Sequence, residues 1–454
     1  MAGAKAKDAR LPLATSLAFS ATSLPLMAMG ISVSIHMPAF FAANIGLPLA
    51  AVAAAFGTVR LIDVPLEMVL GLGMDRTRSR FGRYRMWMMA GAPILMLGLY
   101  MLLSASKGAG AGYLVVWLLV MYLGASILTL AHAAWASTLA RTYDERARLF
   151  GLMAFVGVAG ALSVVIIPAV MSKLGYSDAD SVRGMLWYVV LLVPLAVGLV
   201  VARTPERVVE ETAGPRFRFR DYLELVTHPN MRRILLQDLV IQLAGNWAAA
   251  VYIFFTRDAL GFSSASTNLL LLGNLGAGFV GAPAIAWLAT RISKHRALMV
   301  AAAGNALSYL LMAFTPHGEV GLFLMASIFA GTMFSGCNVM TRAMTADVAE
   351  EIRLQQGKEQ SALLYAMVTL TSKVAAGLAV FLAFGLLSRV GYDPQLGKHN
   401  APGAIDALVL VYAAGPVSLN LLGLACLRGY SLTRARAADI RARLEARDAA
   451  LLPS

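Results

Sequence analysis

The stretch "VRLIDVPLEMVLGLGMDRTRSRFGRYRMW", from Val59 to Trp87, contains an apolar segment interrupted by Arg60, Asp63 and Glu67, a turn dense in arginine, and the start of a second apolar segment. The three interrupting charges fall at i, i+3 and i+7, which a helix places along one face. A charged side chain at the centre of a bilayer costs at least about 2.5 to 3.5 kcal/mol unless it meets water or a partner. That face is therefore expected to look inward, away from lipid. Asp63 stands twelve residues before Asp75, and a rise of about 1.5 Å per residue puts it roughly 18 Å from the arginine-bearing end of its helix.

The surrounding chain makes a bilayer the natural setting. Of 454 residues, 59% are hydrophobic and only 14% charged, against about 25% charged in soluble domains, which excludes an ordinary water-soluble enzyme. Apolar runs long enough to cross a hydrocarbon core are expected at about 14–42, 48–74, 84–106, 112–140, 147–172, 183–203, 233–257, 264–290, 296–315, 320–347, 361–389 and 404–428. The first follows Lys5, Lys7 and Arg10 and is too long for the core of a signal peptide, so it is expected to remain as a span. Cys337 and Cys426 lie inside apolar runs and imply neither a disulfide framework nor a zinc site.

The net charge of +13 would suggest nucleic acid in a soluble chain, but here the basic residues sit in connections and serve as topology signals. With twelve spans, 29 of the 38 Lys and Arg residues fall on one side, six on the other, and Arg60, Arg342 and Lys373 within spans. The excess puts both termini in the cytoplasm of a cytoplasmic (inner) membrane protein.

The longest connection divides the chain into a six-span segment at 1–203, a loop at 204–232, a second six-span segment at 233–428 and a tail at 429–454. Phe217, Phe219, Tyr222 and Leu225 in the loop could lie on the membrane surface, although a plain tether is the simpler reading. The tail is expected to form a short amphipathic cytoplasmic helix. "GLGMDRTRSRFGRYR" after span 2 and "GAPAIAWLATRISKHR" after span 8 echo each other. Weak internal repetition around a long middle loop points to a transporter of two six-helix bundles.

The Val59–Trp87 stretch, "TLARTYDERARL", "MTADVAEEIRLQQGKEQSALLYAM" and "KVAAGLAVFLAFGLLSRVGY" resemble, in order, the major facilitator superfamily and specifically its glycoside-pentoside-hexuronide:cation symporter branch. The resemblance implies an all-α membrane protein of twelve transmembrane helices in two pseudo-symmetric bundles. It implies no enzyme activity and no cofactor beyond a coupling ion, H+ or Na+. It also implies a conformational latch at Asp75, Arg83 and Arg146. Sugar-transporting members carry an acid where this chain has Met27, an arginine where it has Ala154, and an acid near Thr129. These departures concern the substrate rather than the fold.

Asp63 and Glu67 are the candidate cation site for Na+ or a proton, with Ser126 and Thr129, one turn apart on span 4, as further oxygen ligands. Two close carboxylates repel, so the pair should accept either ion, and occupancy would favour substrate binding. Lys373 lies fifteen residues after Lys358 and comes to a similar depth, making it and Arg60 candidate countercharges. The plainer alternative is a structural ion-pair network. Asn246, Trp247, Trp135 and Lys373 are candidate substrate contacts; Asn305 is expected to join helices, and His36 and His132 to be packed. Gly276, Gly278 and Gly281 spell a dinucleotide-like motif inside an apolar span, where small residues for close helix contact are the better explanation.

The expected activity is cation-coupled symport of a sugar, glycoside or uronide by a monomer in the lipid bilayer, without nucleic acid. A lysolipid or another amphiphile is the alternative substrate. A non-transporting sensor or scaffold has no supporting feature.

Overall fold

The computed structural model describes residues 11–77, 79, 81–139, 143–206, 225–356 and 361–450, and among them it is helical throughout, with no strand. Among the described residues, twelve helices are long and apolar enough to cross a membrane. We label the first six α1 (Leu13–Ile45), α2 (Leu49–Arg76), α3 (Arg83–Leu103), α4 (Ala111–Leu139), α5 (Tyr143–Lys173) and α6 (Asp178–Arg203). The others are α7 (Pro229–Phe254), α8 (Ser264–Ile292), α9 (Lys294–Ala313), α10 (Val320–Gln356), α11 (Ser361–Arg389) and α12 (Pro402–Cys426). A further helix, α13 (Arg434–Ala450), forms in the tail. Large apolar side chains stand well exposed on these helices, among them Leu195, Val280 and Leu410. Such exposure is unfavourable in water and natural against lipid.

The helix ends differ from expectation where caps decide them. Helix α6 starts at Asp178 rather than near 183, because the Ser177 hydroxyl accepts from the Asp180 N–H and Asp178 and Asp180 suit the positive end of the helix. Helix α10 runs on to Gln356, past the expected end near 347, and carries Asp347, Glu350 and Glu351 with it. Helix α1 is not one regular helix. It turns at Ala21 and Thr22 and widens into π-helical turns at Ser32–His36 and Phe40–Ile45. Pro38, which has no N–H to donate, lies between the two widened turns. Helix α7 continues into a similar widened turn at Phe255–Ala259.

By contacts the chain forms two units. The first holds most of α1, the part of α2 from Leu61, and α3 to α6; the second holds Pro48–Arg60, with the start of α2, and everything from α7 onward. Three helix pairs of the first unit recur in the second: α1 with α5, α3 with α4 and α3 with α6 become α7 with α11, α9 with α10 and α9 with α12. The echo between the two basic turns extends to the backbone. Gly82 caps α3 at φ 99, ψ 150, and Ser293 caps α9 at φ 98, ψ 154. Only glycine adopts that conformation without strain, so the second unit keeps the turn with a less suitable residue.

Gly281 meets α10 so closely that a Cβ there would lie 2.3 Å from the Thr332 carbonyl oxygen, whereas nothing lies within 4 Å of a Cβ at Gly276. Of the three glycines, then, Gly281 carries the close approach. Leu225 is buried in the core of the second unit with Met231 and Ile234, not laid on a membrane surface. Phe217, Phe219 and Tyr222 lie outside the described residues. In α13, Ile440 and Leu444 are buried against that same core, and each such burial is worth about 1.5 to 3 kcal/mol.

Candidate functional site

Within the first unit, α2 and α4 bring three oxygen-bearing side chains together. Asp63 is buried, at 1% exposure, and Ser126 of α4 at 4%. The Ser126 hydroxyl lies 3.0 Å from Asp63 Oδ1 and 2.8 Å from Glu67 Oε1. The four-residue spacing puts both acids on one face of α2, and the short serine side chain reaches between them. Pro65 sits inside the same helix.

A hydroxyl has one proton. Ser126 can therefore donate to one of the two acids at a time. Since both oxygens lie within hydrogen-bonding reach of it, they are about 6 Å apart or less. At that separation and an effective dielectric of about 20, two full negative charges repel by on the order of 3 kcal/mol. A proton on one acid, or a hard cation held among the three oxygens, relieves this repulsion; oxygen donors are what such a cation prefers.

Thr129, a turn further along α4, is exposed and forms no hydrogen bond among the described residues. Arg60 is half-buried, and the stem of its side chain packs against Gly377, where a Cβ would come within 2.4 Å of the Arg60 Cβ. Lys373 is half-buried on α11. Asp75 stands in the last turn of α2 and Arg146 in the first turn of α5, but their side chains lie outside the described residues. Arg83 follows the Gly82 turn, its guanidinium 5.7 Å from the centre of the Tyr84 ring. That turn is tied to the end of α6, where the Glu206 carboxylate accepts from the backbone N–H groups of Tyr84 and Arg85 at 2.7 and 2.9 Å.

Trp135 is 1% exposed and packs edge-on against Phe19. His132 bonds the Phe19 carbonyl at 2.8 Å, joining α4 to α1 in a packing role. In the second unit Trp247 is buried and donates its indole N–H to the Val411 carbonyl at 2.9 Å. Asn246 donates to the Gln242 carbonyl within α7, and Gln242 donates to Asn338 Oδ1, each at 2.8 Å. Asn305 bonds Asn420 at 3.2 Å and joins α9 to α12.

A second acid inside a span escaped the reading of the sequence. Asp238 on α7 is 2% exposed; its Oδ2 accepts from Thr371 at 2.6 Å and from Ser372 at 3.5 Å, both on α11. The burial rule that singled out Asp63 applies equally to it. It lies inside the span expected at 233–257, next to none of the other charges read within spans.

The family model described as MFS/sugar transport protein matches residues 18–434. A Bacillus subtilis protein, "Uncharacterized symporter YnaJ", is 24% identical over 432 residues, covering 92% of this chain and 91% of its own. The Escherichia coli "Glucuronide carrier protein homolog" is 22% identical, covering 84% and 85%. Among solved structures, the nucleoside transporter NupG superposes with a TM-score of 0.69 at 11% identity, covering 91% of this chain and 99% of that one, a likeness of fold. A match over nearly the whole chain, twelve apolar spans and relatives named as carriers make this a multi-pass membrane transporter rather than an enzyme. The chain belongs to the MFS/sugar transport protein family of the major facilitator superfamily, and its relatives are consistent with the glycoside-pentoside-hexuronide:cation symporter branch.

Proposed function

We propose that the chain is a secondary active transporter that couples entry of H+ or Na+ to entry of a sugar, glycoside or uronide by alternating access. The observation that carries this reading is the Ser126 hydroxyl shared between Asp63 and Glu67. The coupling ion is a co-substrate: it relieves the repulsion of the pair on arrival and restores it on leaving. Binding energy that depends on the ion's presence is what links its gradient to a second solute. Lys373 and Arg60 serve as countercharges to the empty pair, and Lys373 also meets the substrate. The relative named as a glucuronide carrier homolog supports the sugar class. The excess of Lys and Arg on one side supports the cytoplasmic membrane, with both termini inside. Asp75, Arg83 and Arg146 would form the latch that closes one conformation.

Asn246, Trp247 and Trp135 remain the proposed substrate contacts. The indole N–H of Trp247 is engaged by Val411, so its contribution would be the ring face. An amphiphilic substrate is the second reading. It is favoured by Met27, 47% exposed on α1 where sugar carriers of the branch have an acid.

Uptake into proteoliposomes separates the two. Labelled glycosides, uronides and lysolipids are offered under an imposed Na+ or proton gradient. Gradient-driven accumulation of a glycoside or uronide is expected; accumulation of the lysolipid alone would overturn the sugar reading.

A further inference from the structure

Helix α13 closes over the basic end of the second unit. Arg436 reaches Glu351 at 3.1 Å and Arg441 reaches Glu350 at 3.1 Å, both on α10. Between the start of α13, the end of α8, the start of α9 and the Val339–Asp347 stretch of α10 lies a cavity of about 480 Å³. One wall is aliphatic, built by Ala286 and Ala289 of α8 and Val339 and Met340 of α10. The other carries Lys294, Arg434 and Arg441 around a single acid, Asp347.

The charges on that wall do not cancel. Lys294 is taken by Asp347, its Nζ at 2.6 and 2.8 Å from the two carboxylate oxygens, and Arg441 is taken by Glu350. Arg434 donates one N–H to the Thr290 carbonyl at 2.9 Å and has no carboxylate partner among the described residues. A guanidinium has five N–H donors, so most of its fork is left for a ligand. The surplus is one positive charge, the complement of one phosphodiester. On the same helix as the aliphatic wall, Trp287 is 61% exposed and Arg291 lies 5.4 Å from its ring centre. Trp beside Arg at the end of a span marks the depth of lipid headgroups. A soluble anion has no use for an aliphatic wall; a phospholipid has.

We propose that this cavity binds an anionic phospholipid of the adjoining leaflet, its phosphodiester held by Arg434 and the upper part of its acyl chains against Ala286, Ala289 and Val339. The lipid would bridge α8 to α13 and help hold the tail helix down. This site is independent of what the carrier transports.

The test uses the full chain, purified and delipidated in detergent, with binding of phosphatidylglycerol, phosphatidylcholine and glycerol 3-phosphate followed by native mass spectrometry. Phosphatidylglycerol should bind in preference to phosphatidylcholine. Arg434→Ala should weaken that preference about fivefold, and Arg434→Lys should keep most of it. Ala289→Phe, which fills the cavity from its aliphatic side and leaves every charge in place, should also lose it. Arg443→Ala should change nothing, since Arg443 pairs with Asp439 outside the cavity. An unchanged lipid preference in both Arg434→Ala and Ala289→Phe would overturn the proposal. So would glycerol 3-phosphate binding as tightly as the lipid, which would make the ligand a soluble phosphate.

Discussion

Asp63 and Glu67 in the first unit and Asp238 in the second are carboxylates inside apolar helices, yet they are bonded on opposite terms. At Asp238 two hydroxyls, from Thr371 and Ser372, converge on one acid, and each also lies within reach of the Val368 carbonyl one turn back on α11. At the other centre the single proton of Ser126 faces two acids. A single acid met by two hydroxyls of one neighbouring helix is a joint between α7 and α11. Two acids joined by one hydroxyl offer three oxygens to a cation.

The largest expected effect is at the shared pair. Asp63→Asn should reduce cation-driven accumulation by on the order of 100-fold or more, the scale set by losing one partner of a buried charged site. Asp238→Asn should leave the dependence on cation concentration unchanged and show itself as a lower melting temperature. Equal loss of cation dependence in both would break the comparison. Next in size is Ser126→Ala, which removes a neutral oxygen ligand and one proton. Cation affinity should fall about tenfold, read from the cation concentration giving half-maximal uptake. Thr371→Val is the matching change at Asp238 and should cost about 1.5 to 3 kcal/mol of stability in detergent, with the half-maximal cation concentration unmoved.

The smallest effect tests the likeness of the two units. Ser293→Gly should stabilise by about 1 kcal/mol, because serine is strained at that positive φ. Gly82→Ala, in the equivalent turn, should destabilise by more, since a Cβ there would also meet the Glu206 carboxylate at 2.1 Å. Thermal unfolding of both variants against the parent checks the pair.

The twelve spans were legible because twenty apolar residues are a coarse signal that needs no knowledge of neighbours. The ends were less so: α6 begins where Ser177 caps it, and α10 continues past the membrane because Glu350 and Glu351 meet arginines of α13. At the site, helical spacing alone put Asp63 and Glu67 on one face. Ser126 and Thr129 had equal claims in the sequence, and only the direction each side chain takes from α4 separates them. Trp247 looked like a free aromatic because its acceptor, Val411, is remote in sequence. Asp238 lay inside the expected span 233–257, but its partners on α11, in the same run as Lys373, are remote in sequence.

Proteoliposomes loaded with unlabelled substrate allow exchange without net cation movement, whereas empty ones require the gradient to drive accumulation. Asp63→Asn assayed both ways, beside Asp238→Asn, tests the cation site most directly. Exchange that survives in Asp63→Asn while gradient-driven accumulation is lost, with both intact in Asp238→Asn, is the predicted result. Accumulation at parental level in Asp63→Asn under either a Na+ or a proton gradient would contradict it.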